Sequence, residues 1–532
     1  MNTTRAFDVA IVGAGFSGLY MLHKLRGQGL SAVVFEKGDG VGGTWYWNRY
    51  PGARCDVESP YYSYAFSPEL EQEWEWTERY PSQPEIMSYL NHVADRFGLR
   101  DGIELETEVT AAAFDDDINR WSVSTDRGET VKAKYVVMAT GCLSAGRIPE
   151  FDGLESFAGE IYHTGSWPHN GVDFTGKRVG VIGTGSSGIQ AIPEIARQAK
   201  QLTVFQRTAS FSVPARNAPL DQKEWKEIKA DYRHLRELAR HSATGLPFTG
   251  GTTSALEATP EERKANYEAH WGLGGFRIGA AYGDLILNKQ ANDTLAEFIH
   301  SKIDEQVKDP ETAELLKARD YPVSTKRICV DTDYYATFNR DNVSLVDVRN
   351  APIVGLSERG LKTEDAEYEL DVIVFATGFD AMTGSMLRVD ITGSGGLSLR
   401  DKWAAGPRTY LGLSIAGFPN LFSVAGAGSP SVLTNMVTAI EQHVEWISDH
   451  IAYLQERGLN RSEASVEAED QWVDHVNEVA GMTLFNQANS WYLGANVPGK
   501  TRVFMPYAGG LGAYRTKCDE VASSDYEGFT LS

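Results

Sequence analysis

The sequence is poor in the features that mark several common classes of protein. Its 532 residues include only four cysteines, Cys55, Cys142, Cys329 and Cys518. No two of them form a CxxC pair, which excludes a zinc ribbon and a redox-active dithiol motif, and we expect no metal site. No apolar run is long enough to cross a membrane, and the N-terminal run VAIVG is too short for a signal peptide. We therefore expect a cytoplasmic protein without a membrane partner.

Net positive charge is lacking as well. Lys and Arg number 50 against 72 Asp and Glu, which gives a formal charge of -22. Such a charge repels nucleic acid, so a nucleic-acid partner is excluded, and any phosphate-bearing ligand needs a locally basic site. The hydrophobic content of 42% and charged content of 23% are ordinary for a globular protein. The length predicts two or three lobes rather than one compact core.

The first clear motif is a β-α-β unit with a glycine-rich turn. A buried strand is predicted over FDVAIVG (7–13), then a helix, then a second strand over SAVVFEK (31–37). The turn is a GxGxxG motif formed by Gly13, Gly15 and Gly18. Its glycines allow a pyrophosphate to approach the helix N-terminus, where free N–H groups meet its charge. Glu36, at the end of the second strand, is placed to bind a ribose diol, so this unit predicts an FAD or NAD site.

The same pattern returns in KRVGVIGTGSSGIQ (177–190), followed by a strand at 202–207. Its glycines are Gly183, Gly185 and Gly188. Here the second strand ends in Arg207 with no carboxylate, which favours the 2′-phosphate of NADP over NAD. Pro193 falls inside the predicted helix and is expected to bend or shorten it.

Two further buried strands end in the tripeptide ATG, at 135–141 and at 371–378. Small-residue turns of this kind let the backbone approach a ligand closely. The segment 218–320 is rich in Lys, Glu, Ala and Leu and is predicted to be helical. Two dinucleotide sites without a reactive cysteine pair indicate a flavin oxygenase that takes hydride from NADPH, rather than a disulfide reductase.

The segment FAGEIYHTGSWPH lies between the two glycine motifs and carries a longer pattern. FxGxxxHTxxWP is present as Phe157, Gly159, His163, Thr164, Trp167 and Pro168. This pattern resembles that of the type I Baeyer–Villiger monooxygenases, FAD- and NADPH-dependent enzymes that convert ketones to esters or lactones with O₂. GGTWYWNRYPGARCDVES (42–59), TKRICVDTDYY (325–335) and SWYLGANVPGK (490–500) extend the resemblance along the chain. GSPSVLTNM (428–436) is most similar to the phenylacetone and steroid monooxygenase branch, although Ala427 replaces an expected proline.

The resemblance implies an α/β fold with two Rossmann-like dinucleotide-binding domains, for FAD and NADP, of the flavin monooxygenase type with a helical insertion. The implied domains are 1–142 with 385–532 for FAD, 151–217 with 325–380 for NADP, a helical insertion at 218–324, and an interdomain linker at 143–176 that carries the FxGxxxHTxxWP motif.

The resemblance also implies roles for individual residues. Arg327 would be the catalytic arginine beside the flavin, where a permanent charge stabilises the C4a-peroxyflavin anion and the oxyanion of the ketone adduct. Asp56 would be its catalytic acidic partner. The implied FAD contacts are Gly13, Gly15, Ser17, Gly18, Glu36, Thr44, Trp45, Tyr46, Trp47, Asp56, Tyr62, Val109 and Met436. The implied NADP contacts are Arg54, Cys55, Thr184, Gly185, Ser186, Ser187, Gly188, Gln190, Arg207, Thr208, Lys326, Arg327 and Trp491. The implied substrate contacts are Cys142, Leu143, Val432, Leu433 and Met436.

The predicted reaction converts a ketone, aryl, cyclic or larger, with O₂ and NADPH, and the resemblance implies a monomer. Three alternatives remain open at this stage: an N- or S-oxygenating flavin monooxygenase, an uncoupled NADPH oxidase, and a nucleotide-binding regulatory protein. The motif residue His163 has two interpretations, a proton-transfer group or part of a joint between domains. Because the expected chemistry leaves it no necessary step, we interpret it as a hydrogen-bonded residue of the joint.

Overall fold

A computed structural model describes residues 5–532 of the chain as two lobes, each built on a sheet with parallel strands, and a helical insertion. The strands are β1 (Ala6–Val12), β2 (Ala32–Phe35), β3 (Ile103–Glu104), β4 (Val109–Asp115), β5 (Arg120–Thr125), β6 (Thr130–Met138), β7 (Glu160–His163), β8 (Arg178–Ile182), β9 (Gln201–Gln206), β10 (Ser212–Pro214), β11 (Cys329–Asp331), β12 (Val343–Asp347), β13 (Ile353–Ser357), β14 (Gly360–Thr363), β15 (Glu367–Glu369), β16 (Val372–Phe375), β17 (Asp390–Thr392), β18 (Leu421–Ser423), β19 (Ser462–Ala464) and β20 (Phe529–Leu531). The helices are α1 (Phe16–Gly27), α2 (Thr44–Trp47), α3 (Pro68–Glu73), α4 (Gln83–Arg96), α5 (Ser186–Gln198), α6 (Gln222–Ala230), α7 (Tyr232–His241), α8 (Pro260–Leu273), α9 (Lys289–Gln306), α10 (Pro310–Leu316), α11 (Tyr334–Thr337), α12 (Gly384–Leu387), α13 (Leu399–Lys402), α14 (Met436–Glu456), α15 (Val466–Gly481) and α16 (Leu511–Ser523).

The first lobe is built on a mixed sheet in the order β17-β4-β5-β6-β1-β2-β3, and β18 pairs with β6. The strand β1 lies parallel to both β2 and β6, while β4, β5 and β6 form an antiparallel meander. Helix α1 connects β1 to β2 and packs against the long helix α14. The predicted first β-α-β unit is therefore present, and its strands are almost completely buried, as the continuous apolar runs indicate.

The second lobe is built on an all-parallel sheet in the order β12-β9-β8-β16-β7. Helix α5 connects β8 to β9, which confirms the second predicted β-α-β unit. The two lobes together confirm the predicted α/β class with two Rossmann-like units.

Pro193 does not shorten α5, which was one of the two effects expected of it. The helix continues for five residues beyond it, to Gln198. Ile189, Ile192 and Ile195 line one face of the helix and are completely buried against the second sheet. Burial of such a side chain contributes roughly 2 kcal/mol. The three together therefore outweigh the cost of about 3 kcal/mol expected for an internal proline.

The segment predicted to be helical contains α6 to α10. Its first two helices pack against the first lobe, and the others pack elsewhere. Helices α6 and α7 lie against the first lobe, where Arg236 of α7 forms a buried ion pair with Glu71 at 2.8 Å. Helices α8 and α9 enclose a separate apolar cluster around Tyr267 and Phe298, whereas Ala313 and Leu316 of α10 belong to the apolar core of the second lobe. The helical insertion therefore contacts the first lobe as well as the second.

The chain crosses between the lobes in two adjacent antiparallel segments, 142–147 and 377–382. The Asp380 amide donates to Ala145 O at 2.8 Å, and the Arg147 amide donates to Gly378 O at 3.2 Å. The segment 142–147 directly follows the first ATG turn, and the segment 377–382 begins within the second. The region predicted as a linker is not entirely irregular, because its residues 160–163 form β7, the edge strand of the second sheet.

Within residues 5–532, no helix is both long and apolar enough to cross a membrane.

Candidate active site

Each ATG turn packs directly on the first glycine of one GxGxxG motif. Gly13 and Gly183 both have left-handed backbone angles, φ +104° and +108°. A Cβ on Gly13 would lie 2.7 Å from Ala139 O, and a Cβ on Gly183 would lie 2.5 Å from Ala376 O. These two positions therefore require glycine because the neighbouring ATG backbone leaves no room for a side chain.

The other two glycines of each motif serve different purposes. A Cβ on Gly18 or on Gly188 would overlap the carbonyl oxygen of the first glycine of its motif, so helix and strand could not pack closely. Gly15 and Gly185 are the N-cap residues of α1 and α5, and neither helix has a side-chain cap. A Cβ on Gly185 would meet no protein atom within 4 Å. Protein packing does not require that glycine, whereas close approach of a pyrophosphate to the free N–H groups would.

The two motifs differ at the residue that ends the second strand. In the first lobe the buried Glu36 carboxylate accepts N–H bonds from Ala14 and Gly38, both at 2.8 Å. Burial raises the pKa of Glu36, and the two N–H donors oppose that change. In the second lobe the same position is Gln206, a buried amide that donates to Leu315 O at 2.7 Å. The second site therefore lacks the carboxylate that would repel a 2′-phosphate.

A basic cluster lies beside the end of β9, and we define it as Arg207, Lys326 and Arg349. Lys326 Nζ lies 4.3 Å from the centre of the Tyr321 ring, and burial followed by the nearby Arg207 charge lowers the pKa of Lys326. Arg349 Nε donates to Arg207 O at 3.2 Å, and Arg349 also pairs with Asp320. The structure thus brings the predicted Arg207 and Lys326 together. Sequence analysis missed Arg349, since no motif marks it and only the pairing of β12 with β9 places it there.

Arg327 and Asp56 form a bidentate ion pair, with Nε to Oδ2 at 2.5 Å and Nη2 to Oδ1 at 2.9 Å. Arg327 Nη1 also donates to Val432 O at 2.6 Å, and the guanidinium lies over the Phe276 ring at 4.7 Å. Burial lowers the pKa of Arg327, but the Asp56 charge outweighs it, so the pKa is raised above its ordinary value. The guanidinium therefore stays charged at every working pH.

The residues around the ion pair connect the two lobes. Cys55 is buried, and its neighbour Arg54 pairs with Glu78 at 2.6 Å. The Arg54 main chain is bonded to the Gln190 side chain of α5. Other predicted NADP residues lie at the second glycine motif: Thr184, whose hydroxyl donates to Thr208 O at 3.0 Å, then Ser186 and Ser187 in the first turn of α5.

The aromatic segment Thr44–Trp47 forms the short helix α2. Trp45 Nε1 donates to the Tyr62 hydroxyl at 3.0 Å, and the two buried rings meet edge to face. The Tyr46 hydroxyl donates to Asp39 at 2.6 Å. Of the other predicted FAD residues, Thr44 is exposed at the start of α2, Ser17 is buried in α1, and Val109 is buried at the start of β4.

All five predicted substrate residues lie in one apolar cluster, together with Trp491. Cys142 and Val432 are buried there, and Leu143, Leu433 and Met436 are partly buried. Ala427, the departure from the family pattern, belongs to the same cluster, and its carbonyl accepts the Thr409 hydroxyl at 2.7 Å. The structure adds members that sequence analysis did not name. Tyr492 lies in the quoted segment SWYLGANVPGK, whereas no quoted motif marks the others: Ala381, Met382, Phe504 and Met505.

The FxGxxxHTxxWP residues lie where the two lobes meet. His163 is buried at the end of β7, and its Nδ1 accepts the Gly165 amide at 3.0 Å. Burial lowers the pKa of His163, which keeps the ring neutral. The Trp167 amide donates to Trp47 O at 3.2 Å and so ties the motif to α2. Phe157 and Thr164 are buried, and a Cβ on Gly159 would overlap Asp371 O.

Thiol chemistry does not fit this site. All four cysteines are unpaired and buried. Burial raises the pKa of the thiols of Cys55, Cys142 and Cys329, so these groups stay protonated and unreactive near neutral pH.

Comparison with known proteins agrees with this geometry. Residues 10–241 match the family described as pyridine nucleotide-disulphide oxidoreductase. A Baeyer-Villiger monooxygenase of Pseudooceanicola batsensis is 45% identical over 98% of this chain and 95% of its own length. A phenazine N-monooxygenase of Lysobacter antibioticus is 43% identical over 100% of this chain and 98% of its own.

Among solved structures, an oxidized steroid monooxygenase bound to NADP superposes with a TM-score of 0.95 at 56% identity, over 99% of each chain. These matches cover nearly the whole chain, so they span the segments that carry the two glycine motifs and the Arg327–Asp56 pair. The chain belongs to the type I Baeyer–Villiger monooxygenases.

Proposed function

We propose that this protein is an FAD-dependent monooxygenase that uses NADPH and O₂ to convert a ketone to an ester or lactone, with water and NADP⁺ as the other products. The observation that carries the proposal is the Arg327–Asp56 ion pair. It lies where the first lobe, the second lobe and the apolar cluster meet, because Arg327 contacts both Asp56 and Val432 O. A fixed, permanently charged guanidinium at that place suits a reaction that develops negative charge on oxygen.

The residues at the two glycine motifs fit the two nucleotides. FAD fits the first motif, where the N-terminus of α1 would hold the pyrophosphate and Glu36 the ribose. NADP(H) fits the second motif, where the N-terminus of α5 would hold the pyrophosphate and the basic cluster the 2′-phosphate. When bound, the flavin reduced by NADPH supplies the activated oxygen.

Arg327 keeps donors available for the reacting oxygen. A guanidinium has five N–H groups. Three of them are donated to Asp56 and Val432 O, which leaves one on each terminal nitrogen. Asp56 fixes the orientation of the group, and Arg327 stabilises the anionic oxygen of the ketone adduct. Loss of a preorganised donor of this kind costs about 3 kcal/mol of barrier.

The apolar cluster is suited to hold the carbon skeleton of a ketone. It offers aliphatic and aromatic surface next to the Val432 carbonyl that contacts Arg327. We propose aryl, cyclic or larger ketones as substrates, because burial of their apolar surface there contributes binding energy in proportion to its area.

The test is a comparison of wild type with Arg327→Ala in the FAD-loaded protein. NADPH consumption with a panel of linear, aryl, cyclic and steroid ketones is followed together with product mass spectrometry. The variant is expected to bind NADP⁺ and to consume NADPH but to give no ester, with the missing ester replaced by H₂O₂. An ester yield near that of wild type in Arg327→Ala would overturn the role assigned to the arginine.

A second function is oxygenation at nitrogen, favoured by the 43% identity to the phenazine N-monooxygenase. An electron-rich nitrogen attacks neutral, electrophilic oxygen, so this reaction does not need Arg327 to stabilise an anion. The same panel extended to heteroaromatic and tertiary amines, which give N-oxides, separates the two functions. N-oxide that persists in Arg327→Ala, without ester from any ketone, would identify the protein as an N-oxygenase.

We further propose that the protein is a cytoplasmic monomer. Four unpaired, buried cysteines support a reducing compartment. Light scattering on the FAD-loaded protein measures the monomer mass directly.

A further inference from the structure

Gln190 is the fifth residue of α5 in the second lobe, and its side-chain amide forms hydrogen bonds to a segment of the first lobe. Its Oε1 accepts the Tyr50 hydroxyl at 2.9 Å and the Arg54 amide at 3.3 Å. Its Nε2 donates to Arg54 O at 3.0 Å. One amide side chain therefore makes three hydrogen bonds to a stretch of five residues, 50–54, which we call the docking segment.

The docking segment is also packed tightly on α5. A Cβ on Gly52 would overlap the carbonyl oxygen of Gln190, so the two backbones touch there. Tyr50 and Ala53 are buried within the apolar core of the second lobe, although the chain around them belongs to the first. The docking segment is thus anchored to α5 through both apolar contacts and the three hydrogen bonds.

The docking segment leads directly to the ion pair, because Asp56 follows Arg54 by two residues. Arg327 is connected to the same helix from the other side. Cys329, two residues beyond Arg327, has its Sγ 3.6 Å from the Ser186 Oγ in the first turn of α5. Both members of the ion pair are therefore held relative to α5, the helix that begins at the second glycine motif.

We propose that Gln190 is a positioning residue that fixes Asp56, and through it Arg327, relative to the NADP-binding end of α5. This inference rests on the function proposed above. Its consequence is that the catalytic guanidinium and the nucleotide of the second lobe keep one geometry even though they belong to different chain segments. A displacement of about 1 Å can lower the rate of a reaction of this kind by about 100-fold. The resemblance alone had implied a direct contact between Gln190 and NADP.

The test uses three variants of the full-length, FAD-loaded protein. Gln190→Leu removes all three hydrogen bonds at similar size, and Tyr50→Phe removes one of them without changing α5. Gln198→Leu is the matched control, since Gln198 is an exposed residue of the same helix. For each variant we measure hydrogen exchange of a peptide covering residues 50–58, the Kd for NADP⁺ by calorimetry, and the share of consumed NADPH recovered as ester rather than H₂O₂.

Gln190→Leu is expected to exchange about fivefold or more faster in residues 50–58, as the loss of net hydrogen bonding implies. Its NADP⁺ Kd should stay within about twofold of wild type, and its ester share should fall. Tyr50→Phe should change in the same direction by less, and Gln198→Leu should match wild type. Tyr50→Phe carries the test if Gln190→Leu fails to fold.

Two results would overturn the inference. The first is an NADP⁺ Kd weakened about tenfold in Gln190→Leu with unchanged exchange, which would make Gln190 a cofactor contact. The second is unchanged exchange together with an unchanged ester share. If wild type makes no ester from any ketone while exchange and NADP⁺ affinity behave as expected, the proposed function fails and the anchoring role of Gln190 stands.

Discussion

Arg349 controls the charge that a 2′-phosphate would meet at the basic cluster. Its guanidinium pairs with the Asp320 carboxylate, with Nη1 to Oδ1 at 3.0 Å, and it supports Arg207 through a hydrogen bond to the Arg207 carbonyl. Asp320 is close enough to Lys326 to raise the pKa of that amine, although burial and Arg207 lower it more. Without Arg349, the Asp320 charge would therefore oppose a phosphate at Lys326.

We predict that Arg349→Ala weakens NADP⁺ binding about tenfold and leaves NAD⁺ binding nearly unchanged, because only the 2′-phosphate meets the basic cluster. Calorimetry on the FAD-loaded protein measures both constants. The control is Arg319→Ala, which removes a similarly exposed guanidinium that pairs with Glu314 instead. Asp320→Asn in the Arg349→Ala background should restore part of the affinity. Equal losses for NADP⁺ and NAD⁺ would contradict the assignment.

We predict that His163 stabilises the joint between the two lobes through a hydrogen bond and does not transfer a proton. Its Nδ1 accepts the Gly165 amide, and burial lowers its pKa, so it stays neutral across the working range. His163→Ala should lower turnover by about tenfold or more while FAD content stays at the wild-type level. His163→Asn should recover part of the turnover, because its Oδ1 can accept the same amide. The pH profile of the remaining activity should keep the wild-type shape, and loss of a titration step near pH 6 would contradict this role.

At the scale of the elements, the two glycine motifs have the same geometry. In each motif one glycine is required for helix packing, and another lies at the helix N-terminus. Gly188 is required for α5 to pack on the sheet, whereas Gly185 stands at the N-terminus of α5 with no protein atom near its absent side chain. Gly185 has a negative φ of -83°, which alanine also adopts. The two positions should therefore respond differently to the same substitution.

We predict that Gly185→Ala leaves the melting temperature of the FAD-loaded protein within about 2 °C of wild type and weakens NADP⁺ binding about tenfold or more, since the new methyl group occupies the space of the pyrophosphate. Gly188→Ala should weaken NADP⁺ binding and also lower the melting temperature, because its methyl group overlaps the Gly183 carbonyl. Thermal unfolding and calorimetry distinguish the two. A Gly185→Ala protein that binds NADP⁺ like wild type would place the pyrophosphate elsewhere.

Sequence analysis predicted the helices and strands whose formation depends mainly on the residues within and beside them. Both β-α-β units and the helices of 218–324 follow from apolar spacing and from glycine and proline positions that act on their own neighbours. The continuation of α5 past Pro193 has a tertiary cause, since three buried isoleucines pack the helix against the second sheet on both sides of the proline. Contacts such as Arg327 to Val432 O could not be predicted, because 105 residues separate the partners and a main-chain carbonyl leaves no mark on the sequence.

At the scale of the whole molecule, the site is assembled from segments that are distant in the chain. Asp56 comes from the first lobe, and Arg327 from the segment that returns after the helical insertion. Phe276, in the insertion itself, lies 4.7 Å from the guanidinium. The family resemblance supplied Asp56 and Arg327 because motifs mark them, but not Phe276, which no motif marks. The arrangement makes activity depend on how the insertion is held against the first lobe.

The contact between the helical insertion and the first lobe contains a buried carboxyl, Glu441 of α14. It accepts the Ala65 amide at 2.6 Å and lies near Arg236 of α7. Burial raises the pKa of Glu441 from 4.5 to about 7, with Glu445 adding to the rise and Arg236, Ala65 and Arg240 opposing it. Because the folded protein holds this proton more tightly than the unfolded chain, the stability is fully present below about pH 4.5. It is lost as the pH rises through 7, by roughly 3 kcal/mol in total.

We predict that Glu441→Gln flattens the fall in stability between about pH 4 and pH 8, since the neutral amide keeps the Ala65 bond and has no charge to bury. At pH 8 the variant should therefore melt a few degrees above wild type, by roughly 2–4 °C for this size of change, and at about pH 4, below the unfolded-state pKa, the two should nearly coincide. Thermal unfolding of the FAD-loaded protein at the two pH values measures this. Glu456→Gln, on the exposed end of the same helix, is the control and should follow wild type at both. Burial raises the pKa of Asp331 to about 6, so Asp331 adds to the same fall in stability in wild type and in both variants. If the melting temperature of Glu441→Gln falls with pH as steeply as that of wild type, Glu441 is already ionised at little cost and the prediction fails.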